Sequence, residues 1–435
     1  MASGIDVEKA PSTSQRPGDV SVSSGAEAEL PAEAQFKPPD GGFEAWSQVV
    51  AGIFINMMAW GYPSTFGVYQ LHYRDTLKLP ESQISWIGSV QVFLAFALCA
   101  FSGRLADAGY VKSTTIAGSF LVVFGTFMTS LCTEYWQIFL AQGLCTGIGL
   151  GIVFMPPLSV INSYFVTKRS SALAISATGT GLGSVVFPAT IQYLIPKVGF
   201  PWAVRVAAFV ALFISALAVL TLKPRLKPRT AGPLIEWDAF KEGPYLLYML
   251  GAFLFFWALY FGFFYINAYA RNVIHFSTTD SVQLLLITNG MSIPSRPVAG
   301  YMADRYFGPI NLYAFHTFIL GGLIFAWIGV TTRTGMYVFS VFFGLANGAA
   351  QGLYAGSLAS LTKDPRKMGT RFGMVCTIVA FASLAGPPTA GAIIDKSGGR
   401  YLWAQVWAGL VIVLASLVIA GTRCAVTGFK LRVKI

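Results

Sequence analysis

Charge is in short supply in this chain. Asp, Glu, Lys and Arg make up 11% of its 435 residues, where an ordinary soluble domain carries about 25%. That shortage excludes a water-solvated surface over most of the molecule. Cysteine is sparse as well. The five present (Cys99, Cys132, Cys145, Cys376 and Cys424) show no paired spacing and no C-x-x-C, which argues against a disulfide scaffold or a zinc ribbon. They read as small fillers of apolar segments. The three histidines (His72, His275 and His316) stand far apart, and no apolar segment holds a cluster of His, Asp or Glu. No metal, no cofactor and no embedded catalytic centre is therefore expected, and the chain reads as a non-enzyme. Residues 1–35 are polar and rich in Ser, Ala, Glu and Pro, so a cleavable signal peptide is not expected there, and the tail reads as disordered.

What the chain has in abundance is hydrophobic sequence, 54% of its residues, with a mean hydropathy of +0.61. The net charge of +11 comes from basic residues scattered singly between apolar runs, which does not make a nucleic-acid surface. Apolar stretches recur at 46–69, 84–101, 115–131, 137–160, 172–195 and 206–222, then at 245–268, 282–303, 312–330, 336–358, 373–394 and 404–419. Each approaches the ~20 residues of a spanning helix. The pattern predicts an all-α membrane protein of twelve spans in two six-helix bundles. It divides the chain into a tail (1–43), a bundle (44–222), a linker (223–243), a second bundle (244–422) and a short tail (423–435).

Orientation follows from the basic residues. With both ends inside, 21 of the 30 Lys and Arg fall on the cytoplasmic side and 8 outside. Both termini are expected in the cytoplasm, and the plasma membrane is the expected location. Arg296 is the one remaining, and it lies near the middle of the eighth stretch. An unpaired cation at that depth costs roughly 2.5–3.5 kcal/mol on insertion scales. Asn289, Ser292 and Arg296 are spaced i, i+3, i+7 and so share a face, while Pro294 and Pro297 free the carbonyls of Gly290 and Ile293. Such a stripe must face protein or a water-filled cavity. A structural arginine and a cation in a transport pathway both satisfy it; the second is the preferred reading.

The halves repeat. Gly103-Arg-Leu-Ala-Asp107-Ala-Gly109, after the second stretch, is echoed by Gly300-Tyr-Met-Ala-Asp304-Arg305 after the eighth. This pair resembles the loop motif of the major facilitator superfamily, whose fold is two six-helix bundles around a midplane site. The resemblance implies that Asp107 and Asp304, on loops, latch one conformation by meeting a helix N-terminus or an arginine of the neighbouring bundle. Three further stretches resemble the monocarboxylate-porter family in a fungal form. They are Asp40-Gly41-Gly42-Phe-Glu-Ala45-Trp46; Tyr164-Phe165 with Lys168, Arg169, Gly179 and Gly183; and Gly386-Pro387-Pro388 with Ala390, Gly391, Asp395, Gly398 and Tyr401. In the animal lactate porters of that family a lysine follows the first-helix proline and an aspartate precedes the eighth-helix arginine by four. Here those positions are Ser64 and Ser292. Lactate–proton symport by that mechanism is not implied, and proton coupling stays open.

The candidate substrate-binding set is Arg296, Ser292, Asn289, Tyr62, Ser64, Asn347 and Gln351, and the candidate latch is Gly103, Asp107, Gly109, Asp304 and Arg305. The expected activity is secondary transport by alternating access, as a monomer in the lipid bilayer, of a small organic acid or a polar, aromatic metabolite. Relatives in the fungal branch are associated with export of secondary metabolites and with uptake of vitamins such as riboflavin. A non-transporting sensor on the same fold would need cytosolic domains for which residues 223–243 and 423–435 leave no room.

Overall fold

The computed structural model describes residues 38–225 and 233–428. Most of the N-terminal tail and parts of the linker and C-terminal tail therefore lie outside the described residues. Everything regular among the described residues is helical. The first half runs through α1 (Gly42–Ala59, resumed as Phe66–Leu77), α2 (Glu81–Ala97, resumed as Cys99–Asp107), α3 (Val111–Thr129) and α4 (Tyr135–Tyr164). It ends in a continuous helical stretch, Arg169–Thr221. Its 53 residues would span about 80 Å if straight, and it breaks at Gly199, where φ 77° is open to glycine but strained for other residues. The break makes two spans, α5 (169–198) and α6 (200–221). The second half comprises α7 (Gly243–Asn272), α8 (Thr278–Met302, continued by a wide turn Ala303–Phe307), α9 (Pro309–Trp327), α10 (Arg333–Leu361), α11 (Met368–Lys396) and α12 (Leu402–Thr427).

Two expectations need correction. The 46–69 stretch is not one helix: α1 breaks over Trp60–Tyr62 and passes through a 3₁₀ turn, Pro63–Thr65. Pro63 has no N–H to return to the carbonyl of Ala59. The Gly103–Asp107 motif, expected on a loop, forms the last turns of α2. Only Gly109, at φ +92°, turns the chain away.

Eight helical stretches among the described residues, with α5 and α6 forming one of them, are long and apolar enough to cross a membrane by themselves. The spans that fall short are α1, α8 and α10, and these carry every candidate substrate residue. Helices that face the protein interior, not lipid, can afford such polarity.

Close packing explains much of the glycine. A Cβ on Gly179 would lie 2.0 Å from the carbonyl oxygen of Ile53, and one on Gly183 would lie 2.1 Å from that of Met57. Only bare backbone lets α5 approach α1 so closely. Gly183→Leu is therefore expected to prevent folding: overpacking of a tight core costs about 1–3 kcal/mol or more, and here the neighbour is backbone. Size-exclusion chromatography of detergent-extracted protein checks it; a normal monodisperse peak would refute the close-approach argument.

The stretches near the start of α1 and the end of α4 meet in space. Asp40 accepts the backbone N–H groups of Val166 (2.5 Å) and Thr167 (2.8 Å), and Trp46 packs edge-on against Phe165 at 5.2 Å. Their pairing ties the first helix to the turn between α4 and α5.

Candidate substrate site and latch

The two halves are tied by a pair of equivalent caps. Asp107, closing α2, accepts the N–H of Gly369 (3.0 Å) and of Thr370 (2.7 Å), the second and third residues of α11. The hydroxyls of Thr370 (2.7 Å) and Ser159 (3.2 Å) also donate to it. Asp304, just past α8, accepts the N–H of Ser170 (3.1 Å) and Ser171 (2.7 Å), the second and third residues of α5. Each carboxylate thus serves the free N–H groups and positive dipole of a helix in the opposite half. Gly103 makes room for the first cap, since a Cβ there would lie 2.1 Å from the carbonyl oxygen of Gly369. Gly300 holds the matching position against Ser170 and Ala174. Arg169 adds a further crossing bond, donating to the carbonyl of Ala359 at 3.2 Å.

A clamp that the sequence reading missed sits beside the first cap. Arg371 is buried one turn into α11, donates to Glu236 (3.4 Å) and Glu242 (3.0 Å) of the linker, and lies over the ring of Tyr245. Lys367 also pairs with Glu236, at 2.5 Å. Nothing in the spacing of Glu236 and Arg371, 135 residues apart, announces this pair. Breaking a buried pair by deleting one partner typically costs about 3–5 kcal/mol. Arg371→Ala should therefore lower the thermal midpoint markedly, whereas Arg366→Ala, on the exposed Asp364 pair, should not; equal midpoints would dismiss the clamp.

Arg296 is almost wholly enclosed, with 3% of its surface exposed. One terminal nitrogen donates to the carbonyl of Ala177 on α5, across the interface, at 2.9 Å. The other donates to Oε1 of Gln351 on α10 at 3.2 Å, and Gln351 in turn donates to Oδ1 of Asn347 at 2.8 Å. Both acceptors are neutral, and the buried Nε has no hydrogen-bond partner among the described residues. The structure thus unites Arg296, Gln351 and Asn347.

The other candidates are distributed differently. Along α10, Gly344, Gly348 and Gly352 press on Thr288, Ser292 and Arg296 of α8, so the polar stripe of α8 faces a glycine stripe. Ser292 is buried there, and its hydroxyl donates to the carbonyl of Asn289 at 2.7 Å. Asn289 itself is half-buried. Tyr62 is buried inside the first half, with its hydroxyl 3.1 Å from that of Tyr69 and its ring edge-on to Phe187. Ser64 is exposed, and its hydroxyl donates to the carbonyl of Gly61 at 2.5 Å. Neither joins the arginine cluster in this conformation.

Among the described residues, twelve helical spans in two halves, joined by equivalent caps and holding a buried cation at their interface, define a membrane transporter of the two-bundle type. The chain belongs to the Major Facilitator Superfamily, whose family model matches residues 49–387. It is 39% identical over 417 residues to an MFS-type transporter of Gibberella zeae, covering 95% of this chain and 94% of that one. To the aspyridones efflux protein of Emericella nidulans it is 34% identical, covering 88% and 79%. Among solved structures it resembles the human organic anion transporter MFSD10 with a TM-score of 0.69 at 16% identity, over 88% of this chain and all of that one.

Proposed function

We propose that this protein exports a secondary metabolite bearing an anionic or carbonyl group, loading it from the cytoplasm and releasing it outside. The carrying observation is the way Arg296 is held. Here its guanidinium is occupied by Ala177 of the opposite half and by Gln351. Parting α5 from α8 removes the Ala177 carbonyl and frees N–H groups of a cation that has only the neutral Gln351 as its remaining acceptor. An acidic cargo supplies a counter-charge through a charge-assisted hydrogen bond. When the halves close again, Ala177 and Gln351 compete for the same N–H groups and the cargo is released. A ligand drives such a cycle only by binding the two states differently, and this exchange provides the difference.

The end of the molecule holding Asp107 and Asp304 is the cytoplasmic one in this reading, as are both termini, on the strength of the 21-to-8 distribution of basic residues. Export agrees with the efflux role in the name of the Emericella relative, and the monocarboxylate-porter signatures agree with an acidic cargo. Ser64 and Ser292 leave the site without the ionisable partners of the animal porters, so no proton carrier is assigned to it. The plasma membrane is the proposed location.

The test is efflux from yeast cells expressing the full chain and preloaded with a panel of fungal polyketide acids. Faster loss of at least one of them with the wild type than with Asp107→Asn supports the reading. Equal rates across the panel would remove export. An impermeant maleimide applied to intact cells should label Lys78→Cys and spare Lys223→Cys; the reverse would invert the orientation.

A further inference from the structure

Six aromatic side chains close a ring between the two halves. The first half provides Trp60 (α1), Phe96 (α2) and Phe154 (α4), and the second provides Phe256 (α7), Tyr354 (α10) and Phe372 (α11). Around the circuit, centroids are 4.2 Å apart for Trp60–Phe96, 5.5 Å for Phe96–Phe256 and 5.2 Å for Phe256–Tyr354. They are 5.0 Å apart for Tyr354–Phe372, 6.4 Å for Phe372–Phe154 and 5.0 Å for Phe154–Trp60. Five of the rings are buried and Trp60 is half-buried. The Phe96–Phe256 and Phe154–Phe372 contacts cross the interface. Phe372 lies in the turn after Gly369 and Thr370, which Asp107 caps, and Tyr354 lies one turn from Gln351, the partner of Arg296. The ring therefore borders both the latch and the arginine cluster.

We infer that this ring is both the seal of the closed end and the surface that selects the cargo, and that the cargo is a planar aromatic acid. The inference rests on the alternating-access reading above. When the latch opens, the ring divides three and three, and the cross-interface contacts are lost. Aromatic pairs carry an attraction beyond the apolar area they bury, set by the quadrupoles of their rings. A flat aromatic cargo entering between the parted triads restores that attraction in offset or edge-on geometry. A saturated cargo of equal area restores only the burial. In the closed state the rings satisfy one another and the cargo has no such surface. Planarity is thus rewarded in one state and not in the other, which is the condition for a cargo to drive the change. The acid group meets Arg296 while the flat body meets the rings.

The experiment measures binding of 2-naphthoate and of octanoate to the purified full chain in nanodiscs. The wild type should prefer naphthoate at least tenfold. Trp60→Leu and Phe256→Leu should each cost about tenfold in naphthoate affinity, leave octanoate within twofold and so erase the preference. Phe256→Tyr, which keeps a ring, should retain it. Phe343→Leu, a buried ring outside the circuit, should retain it too, which separates selection from general packing loss. A wild type without preference, or leucine variants that keep it, would overturn the inference. Switching is read separately, from the maleimide reactivity of Ser171→Cys in a cysteine-depleted background, with and without Asp304→Asn. Reactivity raised by Asp304→Asn with no naphthoate preference would end the aromatic-cargo inference and leave alternating access standing. Unchanged reactivity alongside a ring-dependent preference would uphold the rings as a binding surface and count against the export cycle.

Discussion

Arg296→Met is expected to remove most of the binding of acidic cargo while shifting thermal stability little. The two effects separate because of how the guanidinium is held. It is enclosed with two neutral acceptors and an unpartnered Nε, so its desolvation is offset poorly in the closed state. Replacing it by an unbranched apolar side chain relieves that cost, and the loss of two hydrogen bonds to neutral groups takes away a comparable amount. Cargo binding has no such offset. A hydrogen bond to a charged group contributes roughly 1.5–3 kcal/mol, so affinity for an acid should fall about ten- to a hundredfold. Arg296→Lys should fall between, keeping the charge but losing the planar fork that reaches Ala177 and Gln351 together. Isothermal titration and a thermal melt on the same preparations decide it. Intact affinity with a large drop in melting temperature would make Arg296 a structural tie and end its role in cargo recognition.

Asp107→Asn is expected to open the latched end. The carboxylate receives four donors, two of them the backbone N–H groups that begin α11. An amide at that position keeps one acceptor, loses the charge that complements the helix dipole, and turns an N–H toward other N–H groups. A loss of about 2–3 kcal/mol is in keeping with charged hydrogen bonds, enough to change the ratio of closed to open forms by roughly 30- to 160-fold. Apparent affinity for cargo offered from the cytoplasm should then rise, because more of the protein is already competent to bind. Turnover should fall, because the return to the closed state is less favourable. Asp304→Asn should act in the same direction and more weakly, since its carboxylate holds two of the N–H donors that begin α5 and, among the described residues, no hydroxyl donor. Lower affinity with unchanged turnover would show that Asp107 touches cargo and does not act as a latch.

Composition and periodicity were enough to establish a twelve-span helical membrane protein, because a bilayer forces every backbone group to be satisfied within a helix and so writes each span as a long apolar run. The repeated Gly-x-x-Ala-Asp motifs were enough to mark Asp107 and Asp304, since the same residues recur at the same place in both halves. The isolated Arg296 was enough to mark α8. All of these are local signals: a run, a repeat, an exception.

Partnership was a different matter. No spacing along the chain shows that Asp107 reaches Gly369 and Thr370 while Asp304 reaches Ser170 and Ser171, that Arg371 is clamped by Glu236 and Glu242, or that Asp40 holds the turn at Val166. Helical periodicity placed Ser292 on the arginine's face, and the fold packs Ser292 between the glycine stripe of α10 and Gly181 of α5, a placement that only the docking of those helices decides. The aromatic ring was the least visible of all. Its six members come from six helices, and each alone is an ordinary apolar residue in an apolar span. Burial and helix formation are decided within a span or two, whereas hydrogen bonds and ring contacts between halves depend on the docking of elements far apart in the chain. That docking, seen only in the tertiary structure, is what gives a hydrophobic helical chain its capped helix ends, its enclosed cation and its ring of aromatic side chains across the two halves.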